Sequence, residues 1–220
     1  MQFDRFYALA ADLPELSFEV ACSILGAPRE HTRVQLHRWC ATGRLLRLRR
    51  GLYVFGEPWR RRQLTPERVA SLLVDRSYLS GLWALSDTGM IPEAVFTLTS
   101  VTTQRAPGRY QNEFGQFTYQ TIKEDFYWGF QTLDTPAGAV RIAEPEKALA
   151  DFFWLNPGEW PAERIEAELR LQPCECFSPN KARAYARRSG SVRLQSHIET
   201  ALSVVAKAGE GWTSWKEAAG

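Results

Sequence analysis

The stretch LHRWCATGRLLRLRRGLYVF, residues 36–55, contains the patterns of a short helix and of a hairpin in immediate succession. Its first part has apolar side chains at helical spacing, and Gly43 is placed to end the helix. Its second part alternates leucine with arginine, which is typical of a half-buried strand. Arg50-Gly51 supplies the turn, because glycine adopts a positive φ without steric cost. This order predicts the recognition helix and wing of a winged helix-turn-helix.

The residues before this stretch supply the remaining helices of such a unit. Apolar side chains at helical spacing predict an amphipathic helix over residues 3–12. Ser17 is suited to cap a second helix, and Gly26 to end it. Thr32, with Gln35 three residues on, predicts a capping box at the start of the third helix. We therefore expect an N-terminal winged helix domain over residues 1–57.

Positive charge is concentrated in this part of the chain. Ten arginines and two glutamates fall within residues 29–62, a net charge of +8. The whole chain carries only +2, so the other residues together carry −6. A basic segment in an otherwise balanced chain indicates a polyanionic partner, and double-stranded DNA is the partner that a winged helix binds.

The pattern separates two groups of candidate DNA-binding side chains. The free face of the third helix offers arginine, which can hold guanine bidentately, and glutamine, which can hold adenine. The hairpin offers arginines for phosphates or the minor groove. The alternative is a protein-interaction module whose arginines are solvated. The polar stretch with Arg60–Arg62 either extends the DNA contact or is a solvated joint. The DNA-binding candidates are Arg33, Gln35, His37, Arg38, Arg47, Arg49 and Arg50.

Residues 58–220 predict a mixed α/β domain with a helical tail, which makes the whole chain α+β. Helices are expected after Pro66, over residues 80–88, after Pro145 and in the tail from residue 162. Strands are expected over residues 95–102, 114–121, 126–130 and 140–142, because these runs are rich in β-forming residues or alternate in polarity.

The sequence offers little support for an enzyme. It has no phosphate-binding loop and no dinucleotide fingerprint. Glu144, Glu146 and Asp151 are close in sequence and are candidate metal ligands, but they fit better as the start of a structural helix. In that helix Lys147 and Asp151 are four residues apart and can form an ion pair across one turn. We expect no catalytic site, no metal and no cofactor.

Composition also bears on where the protein works. No apolar run reaches the length of a membrane span, and the N-terminus lacks the pattern of a signal peptide. Cys22 and Cys40 fall on apolar helix positions and are expected to be buried thiols. The Cys174-Glu175-Cys176 pair has no histidine near it in sequence and does not predict a zinc site. A cytoplasmic protein is expected.

Three motifs are specific when taken together: Gly43 with Arg50-Gly51-Leu52-Tyr53, Tyr78-Leu79-Ser80 with Leu85 and Gly89, and Glu144-Pro145-Glu146-Lys147-Ala148-Leu149. Together they resemble the AbiE-type antitoxins of bacterial abortive-infection operons. The order and spacing match over residues 15–155, and the tail after residue 160 matches only generally. Trp39 stands where leucine is commoner, and this larger core residue leaves the exposed helix face unchanged.

The resemblance implies a specific role. The family's winged helix binds inverted repeats in its own promoter and represses transcription, and its C-terminal domain is needed to neutralise a nucleotidyltransferase-like toxin encoded next to it. One alternative is a stand-alone ligand-sensing regulator, with a pocket lined by some of Trp83, Phe96, Tyr110 and Trp128. The other is a nucleic-acid enzyme that uses the three carboxylates named above as metal ligands.

Overall fold

The computed structural model describes residues 2–105 and 108–218, with side chains of the last helix up to residue 209. The N-terminal part forms three helices and a three-stranded antiparallel sheet with the strand order β1-β3-β2. In chain order its elements are α1 (Phe3–Ala10), β1 (Leu16–Ser17), α2 (Phe18–Leu25), α3 (Arg29–Ala41), β2 (Leu45–Arg49) and β3 (Leu52–Phe55).

The caps of α2 agree with the sequence, whereas the predicted start of α3 is wrong. The Ser17 hydroxyl accepts a hydrogen bond from Val20 N at 3.1 Å, and Gly26 ends α2 at φ +56°. α3 begins three residues before Thr32, because Pro28 already directs the chain into the helix. Thr32 is buried inside α3, and its hydroxyl faces the Ala27 carbonyl at 3.5 Å instead of capping.

The β2–β3 hairpin forms as predicted. Its strands pair in the register Arg47↔Tyr53 and Arg49↔Leu52, with an irregularity at Leu48. The turn is Arg50-Gly51, and Gly51 adopts φ +78°. At the open end of the hairpin, a Cβ on Gly56 would lie 2.0 Å from the Gly43 carbonyl oxygen, so only glycine permits this close approach of the two backbones.

The rest of the described chain is a six-stranded mixed sheet with helices packed against it. The strand order is β6-β7-β5-β4-β9-β8, with parallel pairs β4/β9 and β5/β7 and antiparallel pairs elsewhere. Its elements are α4 (Pro66–Leu73), β4 (Ser77–Leu79), α5 (Gly81–Asp87), β5 (Thr97–Thr102), β6 (Arg109–Asn112), β7 (Gly115–Thr121), β8 (Phe130–Thr135), β9 (Gly138–Ala143), α6 (Pro145–Leu155), α7 (Ala162–Glu168), α8 (Pro179–Arg188) and α9 (Val192–Ala218). The chain is therefore a mixed α+β protein.

Sequence patterns placed most of these elements, with a clear error near residue 126. The predicted strand over residues 126–130 is instead a 3-10 turn, Glu124–Phe126, followed by β8, which starts where that strand should end. Phe126 is buried and stacks on Trp154, so tertiary packing outweighs its strand propensity. β4 and β6 were not predicted, because each is too short to show an alternating pattern.

The apolar core is continuous across residue 57. One cluster lies within the N-terminal part and centres on Phe6 and Trp39. A second joins Leu48 and Leu52 of the hairpin to Val69 of α4 and to strands of the large sheet. The hairpin is thus packed against the six-stranded sheet. Within the described residues, no helix combines the length and the apolar character that crossing a bilayer requires.

The cysteines differ from expectation in detail. Cys22 and Cys40 are free thiols, but both are half-buried and not fully enclosed. Cys174 and Cys176 form a disulfide in the segment between α7 and α8.

Candidate nucleic-acid interface

The exposed face of α3 has an apolar side chain at its centre. Thr32, Leu36 and Trp39 are buried against the N-terminal core. At about 100° of rotation per residue, Val34 lies on the opposite side of the helix from these three. Val34 is 49% exposed, and His37 beside it is exposed as well. Sequence reasoning missed Val34, because it considered only the charged and polar side chains on the exposed face of α3.

The predicted side chains of α3 do not all share this face. Arg38 and His37 are exposed and form no ion pair in the described part of the chain. Arg33 is exposed but held by Glu30, whose two carboxylate oxygens lie 2.6 and 2.7 Å from Nη1. Gln35 is half-buried on the other flank of the helix. The structure therefore brings His37 and Arg38 together around Val34 and sets Arg33 and Gln35 on opposite flanks.

The side of α3 nearest its start is bridged to α2. Arg29 forms an ion pair with Glu19 at 2.9 Å, and its guanidinium lies 4.9 Å from the centre of the Phe18 ring. Arg33 reaches the same ring at 5.9 Å. The hydrogen bond from Arg29 is the main reason that the pKa of Glu19 lies below its ordinary value. These contacts join the start of α3 to the start of α2.

Of the three predicted hairpin arginines, Arg49 is placed differently from the other two. Arg47 and Arg50 are exposed, and neither side chain forms an ion pair among the described residues. Arg49 is half-buried, its Nε donates to the Leu73 carbonyl at 2.8 Å, and its Nη1 donates to the Arg50 carbonyl at 3.3 Å. Arg49 therefore joins the hairpin to the end of α4, whereas Arg47 and Arg50 are accessible to a partner.

A residue of the large sheet also holds the hairpin. The Asn112 side-chain amide donates to the Leu48 carbonyl at 3.2 Å, at the irregular position of β2. Asn112 ends β6, and 64 residues separate it from Leu48. No local sequence pattern predicts a contact between residues so far apart in the sequence. The hairpin that carries the basic side chains is therefore held in part by the six-stranded sheet.

Two of the three candidate metal-ligand carboxylates share a lysine, since Lys181 Nζ lies 3.0 Å from Glu144 and 3.7 Å from Glu146. Glu144 is paired with Lys181 at 3.0 Å and also accepts a hydrogen bond from Tyr185. Glu146 accepts a hydrogen bond from Ser178 N at 2.7 Å. Asp151 takes part in a different, buried network. Among the residues that the structure describes, no group of three histidine, cysteine or acidic side chains is arranged to hold a metal ion.

Asp151 and Lys147 form the predicted ion pair, but it is fully buried. The other carboxylate oxygen of Asp151 accepts hydrogen bonds from Ser80 Oγ at 2.7 Å and Tyr78 OH at 3.0 Å. The Lys147 ammonium lies 4.8 Å from the centre of the Trp128 ring, where it forms a cation–π interaction. Burial lowers the pKa of Lys147 and raises the pKa of Asp151, and their mutual attraction opposes both shifts.

In the described part of the chain, the aromatic side chains proposed to line a ligand pocket lie in different surroundings. Phe96 is 88% exposed, Trp128 packs on Tyr185, and Tyr110 packs on Tyr119. A cleft of about 410 Å³ does lie between the β5–β7 face and the ends of α5 and α6, but its lining includes none of the four. This cleft therefore does not have the aromatic lining that the ligand-sensing alternative requires.

The fold and the surface just described define a mixed α+β protein with a basic helix and hairpin held against a larger sheet. Comparison with protein-family models and with curated proteins finds no match. Among solved structures, the chain is similar to the Rv2827c protein from Mycobacterium tuberculosis, with 15% identity, a TM-score of 0.48, and coverage of 90% of this chain and 80% of that one. A likeness at this level does not define a family for this chain.

Proposed function

We propose that residues 1–57 form a winged helix that binds double-stranded DNA, and that the protein is a cytoplasmic autorepressor and antitoxin of the AbiE type. In this proposal α3 enters the major groove and the β2–β3 hairpin is the wing. The observation that carries it is the element order α1-β1-α2-α3-β2-β3 with sheet order β1-β3-β2, together with exposed arginines on α3 and at the hairpin tip that form no ion pair among the described residues.

The geometry supports different roles for Val34 and for the predicted DNA-binding side chains. Val34, His37 and Arg38 occupy the part of α3 that would face base edges. Arg47 and Arg50 are placed to contact the backbone or a minor groove. Arg49 acts as an anchor of the wing, because its guanidinium already donates to Leu73. Arg33 and Gln35 are proposed as flank contacts.

The antitoxin part of the proposal rests on the sequence motifs. The Glu144–Leu149 motif starts α6, and its buried Lys147 is held by Asp151 and by the Trp128 ring. Such a motif stabilises the second domain, which would present its surface to the nucleotidyltransferase-like toxin. We assign no catalytic role to these residues.

DNA binding is tested by fluorescence anisotropy, with the full-length protein and the DNA upstream of its own gene. We expect preference for that DNA over a scrambled duplex. Arg38→Ala and Arg50→Ala should each weaken binding, and loss of a phosphate contact should lower the salt slope by about 1. Arg76→Ala is the control, since Arg76 is exposed in the second domain and pairs with Glu124. Equal affinity for the scrambled duplex would refute the autorepressor proposal.

The antitoxin role is tested by co-expression with the product of the neighbouring reading frame. We expect the wild-type chain to relieve growth arrest, and the Arg38→Ala/Arg50→Ala variant to relieve it while failing to repress the promoter. The antitoxin role is refuted if the neighbouring product is harmless alone, or if it remains harmful in the presence of this chain. Neither result bears on DNA binding, which the anisotropy assay tests separately.

A further inference from the structure

The disulfide between α7 and α8 lies in a segment that other contacts hold on both sides. Before the bond, Gln172 N donates to the Met90 carbonyl at 2.9 Å. After it, Ser178 N donates to a carboxylate oxygen of Glu146 at 2.7 Å. Neither hydrogen bond involves a sulfur atom, so both can persist when the disulfide opens.

The loop that the disulfide closes consists of only Cys174, Glu175 and Cys176, with 5.4 Å between the two cysteine Cα atoms. Residues two apart in sequence lie within about 7 Å in any conformation, because an extended chain advances at most about 3.6 Å per residue. The turn has a bond of its own, from Phe177 N to the Cys174 carbonyl at 3.1 Å. Since a disulfide stabilises a fold more when it closes a longer loop, this one contributes little to folding.

The two sulfur atoms have different surroundings. Cys176 is exposed, whereas Cys174 is half-buried. Cys174 Sγ lies 3.2 Å from the carbonyl oxygen of Thr88, at the end of α5, and accepts a hydrogen bond from Cys176 N at 3.3 Å. Cys176 Sγ is farther from the same carbonyl oxygen, at 4.0 Å. Cys176 is therefore the sulfur that an incoming thiolate reaches, and Cys174 is the one that the protein surrounds.

These two backbone groups favour opening of the bond. A disulfide sulfur carries no hydrogen and cannot donate to the Thr88 carbonyl, whereas a thiol at Cys174 can donate its S–H to it. While Cys174 is a thiolate, the N–H of Cys176 donates to its negative charge. The reduced protein therefore gains a hydrogen bond that the oxidised protein lacks.

We propose that Cys174 and Cys176 form a reversible thiol–disulfide exchange site whose substrate is a dithiol. One thiolate of the dithiol attacks Cys176 Sγ, the bond between the two cysteines breaks, and its electron pair passes to Cys174 Sγ, which takes up a proton. The second sulfur of the dithiol then attacks the first and forms the disulfide of the substrate, and Cys176 leaves as a thiolate and is protonated. Two electrons and two protons thus pass to the protein, and a small disulfide reverses the reaction.

The cellular compartment agrees with this chemistry. Disulfides are rare in the cytoplasm, and those that form there are usually catalytic or redox-sensing. In this respect the inference rests on the cytoplasmic location proposed above. It does not depend on DNA binding or on the antitoxin role.

The exchange is tested on the folded, full-length protein after oxidation with oxidised glutathione, with dithiothreitol as the dithiol. The reaction is stopped with acid, and the thiols are then alkylated in urea and counted by mass spectrometry. We expect two thiols before reduction, those of Cys22 and Cys40, and four after it. Removal of dithiothreitol and renewed oxidised glutathione should restore two. The control variant Cys22→Ala/Cys40→Ala should show the same gain and loss of two thiols.

Reduction should lower the unfolding temperature by at most about 6 °C, because the closed loop is so short. A much larger fall would show that the bond is structural and would overturn the proposal. So would a bond that dithiothreitol opens only in urea, or cysteines that oxidised glutathione leaves as mixed disulfides with glutathione.

Single variants test which sulfur is attacked. Cys174→Ser and Cys176→Ser, each made in the Cys22→Ala/Cys40→Ala background, leave one thiol per chain. An aromatic disulfide reagent should react several-fold faster with Cys176, which is exposed, than with Cys174, which is half-buried. Equal or reversed rates would overturn the assignment of Cys176 as the sulfur that the dithiol attacks.

Discussion

The Nε atom of Arg49 donates a hydrogen bond to the backbone oxygen of Leu73 at 2.8 Å, which joins the β2–β3 hairpin to the end of α4. Arg50, the next residue, is exposed at the tip of the same hairpin. Neighbouring arginines thus have different environments, one directed into the protein and one into solvent. Their substitutions should consequently separate stability from DNA binding.

Arg49→Gln should lower the free energy of unfolding by about 1 kcal/mol, because it removes a hydrogen bond to a partly buried carbonyl. Arg50→Gln should change it by less than about 0.5 kcal/mol, since it alters an exposed side chain. In the DNA assay the order reverses, with Arg50→Gln the weaker binder. Urea unfolding and fluorescence anisotropy measure the two effects, and identical behaviour of both variants would contradict the assignment.

Val34 predicts a contact with a thymine methyl group. Apolar side chains recognise this methyl in the major groove, and Val34 is at the centre of the exposed face of α3. Once a binding site has been selected from random duplexes, single thymine-to-uracil replacements remove only the methyl. One replacement should weaken wild-type binding by about fourfold, the equivalent of about 0.8 kcal/mol for one buried methyl.

Val34→Ala should bind the thymine and uracil duplexes with equal affinity at that position. Replacements outside the half-site serve as the control, and they should affect neither protein. If every thymine can be replaced without loss in the wild type, Val34 does not read a methyl group, even where the protein binds DNA.

Lys147→Met should destabilise the protein by about 3–5 kcal/mol, because it leaves the buried carboxylate of Asp151 without its counter-charge. The double variant Lys147→Met/Asp151→Leu should recover much of that loss, since it removes both charges together. Urea unfolding of the two single variants and the double variant gives the coupling energy. A double variant no more stable than Lys147→Met would show that the hydrogen bonds from Tyr78 and Ser80 dominate.

Glu144 predicts a dependence of stability on acid pH. Burial alone would raise its pKa, but the hydrogen bond from Tyr185 and the ion pair with Lys181 hold the pKa below its ordinary value. A lowered carboxyl pKa stabilises the fold above the pKa of the unfolded chain, about 4.3, and that stabilisation is lost as the pH falls through the folded pKa.

Tyr185→Phe should therefore be less stable than the wild type at neutral pH, and the difference should shrink as the pH falls below about 4.3. Tyr110→Phe is the control, because Tyr110 forms no hydrogen bond through its hydroxyl among the described residues and packs on Tyr119. Its effect should be independent of pH. Unfolding curves across the acid range measure both effects. A loss of stability in Tyr185→Phe that does not change with pH would contradict the role given to Glu144.

Local patterns in the sequence were sufficient where the cause of the structure is local. Ser17 caps α2, Gly26 ends it, and Gly51 makes the hairpin turn, since each depends on the backbone within a few residues. The same reasoning failed at Thr32 and Phe126. Their side chains are buried by contacts that override capping and strand preference.

The amino-acid pattern alone therefore established the helices and hairpin of the N-terminal part, its excess of arginine and the mixed class of the remainder. Folding gave the arginines different surroundings: Arg50 faces solvent, Arg49 donates a hydrogen bond to Leu73, and Arg60 is half-buried and pairs with Glu57. The reason is the separation in sequence over which each kind of interaction acts. Helical periodicity and turn chemistry act over a few residues, whereas burial and ionic pairing depend on segments that meet only when the hairpin packs on the six-stranded sheet.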